Sequence, residues 1–162
     1  MRALLLVVLA FVLVGCSSVP VQKLELYCYS PEPARELGVV CRHDQAAEAS
    51  PPERVALPPL NSASPIFFRW SLGKGLYAYR KVKGGIVWIV LDSSVTDGPY
   101  DRLYMDSNCD GSLADEQSIK TEEADAGGAP RFSMVQVLLP AKPEPTPYHL
   151  NLHPRAIFTS HR

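Results

Sequence analysis

The sequence predicts an all-β domain, an antiparallel sandwich or a small open barrel with long proline-rich loops. Three observations carry that expectation. Short apolar or alternating runs recur along the chain, glycine and proline turn signals separate them, and apolar residues show little helical spacing. Such a pattern buries one face of each strand and leaves the other to solvent or to a covering segment.

Taken in order, residues 23–29 (KLELYCY) alternate, with Leu24, Leu26 and Cys28 on one side. Residues 30–65 are polar and hold Pro31, Pro33, Pro51, Pro52, Pro58, Pro59 and Pro65. Proline lacks the backbone donor and restricts the residue before it, so this insert is expected to be irregular and laid over a core. A short helix is expected over residues 44–49. The run IFFRW at 66–70 reads as a strand. Residues 75–82 and 86–92 flank Gly84-Gly85, a two-residue hairpin signal because glycine takes positive φ without steric cost. The run IVWIVL at 86–91 is apolar on both faces and predicts a central, covered strand. Asp97-Gly98-Pro99 marks a turn, and residues 100–105 (YDRLYM) resume a strand with Leu103 and Met105 inward. Residues 131–139 (RFSMVQVLL) form the next strand. Residues 140–147 (PAKPEPTP) read as a stiff connector, and two short strands broken at Pro154 close the chain. The expected organisation is a leader over 1–15, a tether over 16–22 and one β domain over 23–162.

Charge is nearly balanced, with 16 Lys and Arg against 17 Asp and Glu, so no basic excess points to nucleic acid. The N-terminus is more informative. Arg2 precedes the apolar run ALLLVVLAFVLV, which is shorter than the ~20 residues a membrane span needs and fits an export signal. It ends in Leu13-Val14-Gly15-Cys16, followed by Ser17-Ser18. This resembles the lipobox of bacterial lipoproteins, in which the cysteine is acylated and heads the mature chain. The resemblance implies a lipid anchor (palmitate or a similar acyl group) on Cys16. It also implies a place in the bacterial cell envelope: an outer-membrane lipoprotein facing the periplasm if the cell is Gram-negative. The expected partners are then the membrane and an envelope protein or polysaccharide.

Cysteine use fits an oxidising compartment. With Cys16 set aside, Cys28, Cys41 and Cys109 allow three pairings. The favoured one is Cys28–Cys41, whose short loop contributes roughly 3 kcal/mol in the chain-entropy model.

The stretch DSNCDGSLADE over 106–116 gathers four carboxylates and a carboxamide around one glycine. In an Asp-x-Asn-x-Asp-Gly loop, alternate side chains converge on one point, the glycine permits a sharp turn, the next carbonyl contributes, and a later acid closes the shell. Asp106, Asn108, Asp110, Gly111 and Ser112 fill those places, and apolar Leu113 follows. The stretch resembles the EF-hand-type calcium loops of bacterial envelope and extracellular proteins, dockerin-like modules among them. The resemblance implies a structural Ca²⁺ held by loop 106–117. Two departures matter. Gln117 stands where an EF-hand places its closing glutamate, so Asp115 or Glu116 must close the site. The flanks read as strand and coil, so a helix-loop-helix sensor is not expected. The competing reading is an acidic turn whose side chains bond their own backbone.

His149, Asn151 and His153 share one face if residues 148–152 are a strand, but no third metal ligand adjoins the histidines in sequence. No nucleophile elbow, zinc-protease motif or phosphate loop occurs. The sequence therefore leads to a lipid-anchored, calcium-stabilised β domain with a binding or structural role. The competing class is a metal-dependent envelope hydrolase using the acidic cluster or His149 and His153.

Overall fold

The computed structural model describes residues 21–28, 43–73, 75–77, 80–121, 123–124, 130–142 and 146–157, and every regular element among them is a strand. These are β1 (Val21–Cys28), β2 (His43–Ala49), β3 (Ile66–Leu72), β4 (Gly75–Tyr77), β5 (Arg80–Val82) and β6 (Gly85–Asp92). They continue as β7 (Arg102–Met105), β8 (Ile119–Lys120), β9 (Glu123–Ala124), β10 (Pro130–Leu139), β11 (Ala141–Lys142) and β12 (Thr146–Ile157). One antiparallel sheet runs β8-β7-β6-β3-β2-β1-β12-β10-β9, and it curls until its ends nearly meet in a barrel-like shape. A second, small sheet runs β11-β5-β4.

Alternation builds the interior. Leu24 and Leu26 of β1, Phe68, Trp70 and Leu72 of β3, and Val87, Ile89 and Leu91 of β6 point inward. Phe132, Val135, Val137 and Leu139 of β10 meet Tyr148, Leu150 and Leu152 of β12 there, with Leu103 and Met105 of β7. Each such aliphatic or aromatic side chain contributes about 1.5–3 kcal/mol by leaving water.

From Val87 to Leu91 the strand is covered on both faces, as its composition predicts, whereas Ile86 at its start is exposed. This stretch is the middle of β6, paired with β3 on one side and β7 on the other. Its outer face carries a second cluster, in which Phe67, Val90, Tyr104 and Leu113 are buried and Val55, Leu60 and Trp88 pack against them. Residues 50–65 supply part of this cover. They are held by the buried Asp92 carboxylate at the end of β6, which accepts from the amides of Asn61 (3.1 Å to Oδ2) and Ser62 (2.8 Å to Oδ1). Tyr100 adds a hydroxyl bond to the Ser64 carbonyl at 2.7 Å. Nearby, a side chain at Gly98 would meet Val95 Cγ2 at 2.3 Å and Ser93 Oγ at 2.7 Å, so a larger residue there would force those side chains to shift.

Four sequence expectations are corrected. Residues 44–49 form no helix. His43–Ala49 is β2, hydrogen-bonded to β1 and β3, with Ala46 fully buried. Two waiting strand edges outweigh the helical preference of Ala and Glu. The strands on either side of Gly84-Gly85 do not pair with each other. Gly85 pairs with Leu72 of β3, and β4 pairs instead with β5. The proline connector contributes β11, paired with β5. Finally, β12 runs unbroken through Pro154, opposite Leu24. Pairing of β12 with β10 ends at Leu152, so Pro154 sits where the strand has a neighbour on one side only, a place that tolerates the missing donor.

One irregularity shapes the sheet near the seam. The β10–β12 register shifts between Phe132 and Val135, and Met134 takes φ of 56° there. A bulge leaves an amide off the ladder; the Asn151 carboxamide accepts the Met134 N–H at 3.1 Å.

The face assignment on β12 is directly testable. Leu150→Ala should cost roughly 2–5 kcal/mol through the cavity it leaves. His149→Ala, on the outward side, should stay within about 0.5 kcal/mol. Urea unfolding of the two variants checks this, and equal losses would contradict the assigned faces.

Candidate functional site

The acidic loop begins where β7 ends. The Asp106 amide extends the β6–β7 ladder by donating to the Trp88 carbonyl at 2.9 Å, which fixes the residue inside the wall. Its side chain is fully buried. One carboxylate oxygen accepts from the Asp110 amide at 3.0 Å and the other from the Gly111 amide at 3.1 Å. The chain circles this carboxylate by taking positive φ twice, 57° at Cys109 and 84° at Gly111. Glycine adopts that conformation readily; the turn thus uses the one residue type the pattern puts there.

Shorter bonds fill in the turn. Asn108 accepts from the Asp110 amide at 3.0 Å and donates to Asp110 Oδ2 at 2.9 Å. Asp110 Oδ1 accepts from the Ser112 amide at 2.8 Å. Leu113 is fully buried in the outer cluster, and its amide donates to the Ala56 carbonyl at 2.9 Å. The loop thereby pins the proline-rich cover.

At the exit the two candidate acids part. Glu116 turns back onto Ser107, accepting its amide on Oε1 and its hydroxyl on Oε2, both at 2.7 Å. Asp115 is exposed, as is Gln117, and among the described residues Asp115 has no hydrogen bond or ion pair. Glu116 therefore ties the exit of the loop back to its entry by hydrogen bonds, and Asp115 does not. Ser107 has a further contact that sequence reasoning missed: its carbonyl accepts the Leu138 amide of β10, joining the loop to the opposite edge of the sheet. Nothing in a serine between two motif positions signals this.

Burial pushes the Asp106 carboxyl up to about 6; the two amide bonds oppose the shift, and the carboxylates of Asp110 and Glu116 add to it. The Cys109 thiol is pushed up to about 12, chiefly by burial and then by the charges of Asp106, Glu116 and Asp110. It packs against the inner core as an unreactive, unpaired thiol. Cys28 ends β1, whereas Cys41 lies outside the described residues, as does Cys16.

The donor set of Asp106, Asn108, Asp110, Glu116 and the Ser112 carbonyl has the hard oxygen chemistry that Ca²⁺ prefers. In this conformation the side chains bond the loop's own backbone. Among the described residues no group of three or more His, Cys, Asp or Glu is arranged around a metal position.

The second sequence candidate separates from this one. Tyr148, Leu150 and Leu152 of β12 point inward, which places His149, Asn151 and His153 on the outer face. Asn151 is committed to the Met134 bulge, and His153 lies against Tyr27 with ring centres 5.0 Å apart.

Fold and loop together define a nearly closed antiparallel β-barrel-like domain with an oxygen-rich turn at its seam. Comparison of the chain with protein-family models, with curated proteins and with solved structures finds no match.

The raised Asp106 value fixes the sign of a pH effect in metal-free protein. Between its ordinary value near 3.8 and about 6, the folded state holds a proton that the unfolded state has released. Stability should therefore fall as pH rises through this window and level off above it. Thermal unfolding in chelator should show the fall in the natural protein and a flatter profile in Asp106→Asn. Identical profiles would contradict the assignment.

Proposed function

We propose that the protein is a lipid-anchored component of a bacterial cell envelope, held to the membrane through Cys16. In this reading its β domain acts as a binding or structural module and carries one Ca²⁺ in loop 106–116 as a staple. The lipobox-like Leu13-Val14-Gly15-Cys16 supports the anchor. The observation that carries the staple is the loop's double attachment, through the Ser107 carbonyl to β10 and through Leu113 to the cover at Ala56. An ion that holds this turn rigid steadies the seam and the outer cluster together.

The ligands in this reading are Asp106, Asn108, Asp110, the Ser112 carbonyl and Glu116. Asp115, exposed and outside the loop's hydrogen bonds, is left out. Three ligand carboxylates close together repel one another without a cation, and a divalent ion reverses that term. The dissociation constant expected of an extracellular-type site is on the order of 10⁻⁴–10⁻³ M.

A soluble form starting after Ser18 tests the proposal. Calcium at about ten times its dissociation constant should add roughly 1.4 kcal/mol by mass action. That is a rise of about 3–5 °C in the thermal midpoint for a domain of this size. Glu116→Gln should abolish the rise and Asp115→Asn should keep it. No rise with millimolar Ca²⁺, together with no heat of binding by calorimetry, would overturn the staple.

A further inference from the structure

The seam is joined at two places and open between them. At one end the Leu138 amide bonds the Ser107 carbonyl. At the other, Thr121 donates its hydroxyl to the Arg131 carbonyl at 2.8 Å and accepts the Arg131 amide at 3.2 Å. The chain there also passes from one edge to the other, pairing as β8 with β7 and then as β9 with β10. Between the two joins lies a cavity of about 340 Å³, within the size range of small-ligand sites.

Its lining has two characters. Met105, Ile119, Met134 and Val135 make an apolar wall. Asp115, Glu116, Ser107, Gln117 and Gln136 make a polar rim that, among the described residues, holds two carboxylates and no Lys, Arg or His. Glu116 already serves Ser107, whereas the Asp115 carboxylate has no partner among the described residues. The backbone adds an acceptor. Leu138 sends its amide across the seam, and Gln136, two residues earlier on the same strand, directs its N–H and C=O to the same side. No strand among the described residues pairs with Gln136 on that side.

We infer that this window binds an organic cation with a short apolar stem, an alkylammonium group. The stem lies on Met105, Ile119 and the adaptable Met134, and the ammonium group reaches Asp115 and the Gln136 carbonyl. Flexible thioethers suit stems of differing shape, and a carboxylate rim without an opposing base selects positive charge. The bulge at Met134 gains a purpose here. Its Met134 amide is taken by the Asn151 carboxamide of β12 and not by a strand across the seam. The same chemistry has two sources: a free amine, or a lysine side chain on an envelope protein.

The inference does not depend on calcium, and its test is run in chelator so that the two can fail separately. The probes are n-butylammonium, the tripeptide acetyl-Ala-Lys-Ala-amide and butanol as the uncharged control, titrated into the isotope-labelled soluble form. Saturable shifts should appear in the backbone amides of Gln117, Ile119 and Gln136 with one or both cations and be absent with butanol. Asp115→Asn, an exposed change outside the fold's hydrogen bonds, should weaken binding about three- to fivefold. A response to the tripeptide alone identifies a protein lysine as the source, and a response to butylammonium alone identifies a free amine. No saturable shift with either cation, an equal response to butanol, or unchanged binding in Asp115→Asn would overturn the assignment.

Discussion

A curled antiparallel sheet must deal with two edges, each a row of amides and carbonyls that would otherwise pair with a neighbouring molecule. Here that requirement falls on a few bonds. Ser107 receives the Leu138 amide at one end of the seam, and Thr121 clasps Arg131 at the other. The first of these depends on the buried Asp106 carboxylate, which gathers the Asp110 and Gly111 amides and so sets the path of the turn. Glu116 completes the arrangement by gripping Ser107 at both its amide and its hydroxyl. A polar turn thus does what a long strand pairing does in a fully closed barrel.

The same turn reaches outward. Leu113 leaves it for the outer cluster and bonds Ala56, while Asp92 holds Asn61 and Ser62 from the far end of β6. Fully buried carboxylates therefore sit at both ends of the covered wall, each satisfied by backbone amides rather than by a basic side chain. Such bonds to a charged acceptor contribute about 1.5–3 kcal/mol each when the acceptor is fixed. They also explain how a segment with so many prolines stays ordered over the wall: the wall supplies the acceptors that its free amides need.

The sequence carried the strands where the pattern was long and unambiguous, as at IVWIVL and RFSMVQVLL, because burial on one or two faces leaves a direct mark on composition. It misled where tertiary pairing decided the outcome. HDQAAEA has helical propensity, yet it fills a gap between two strands, and no local feature announces that gap. Gly84-Gly85 looked like a hairpin tip, but the partner of β6 lies before the β4–β5 excursion. Pro154 read as a break because its one-sided neighbourhood depends on where β10 stops. In the loop, the spacing of Asp106, Asn108, Asp110 and Gly111 and the buried Leu113 were legible, since a tight turn anchored to an apolar cluster demands them. The choice of Glu116 over Asp115 was not, because it depends on Ser107, whose importance comes from a strand far along the chain.

The central claim is that the acidic turn, ordered around Asp106 and closed by Glu116, joins the sheet's two ends. Native-state amide exchange in Glu116→Gln tests it most directly. The account predicts that Leu138, Asp110 and Gly111 lose protection together, while amides between β1 and β12 keep theirs. Uniform loss across the sheet, or a Leu138 amide as protected as in the natural protein, would contradict it.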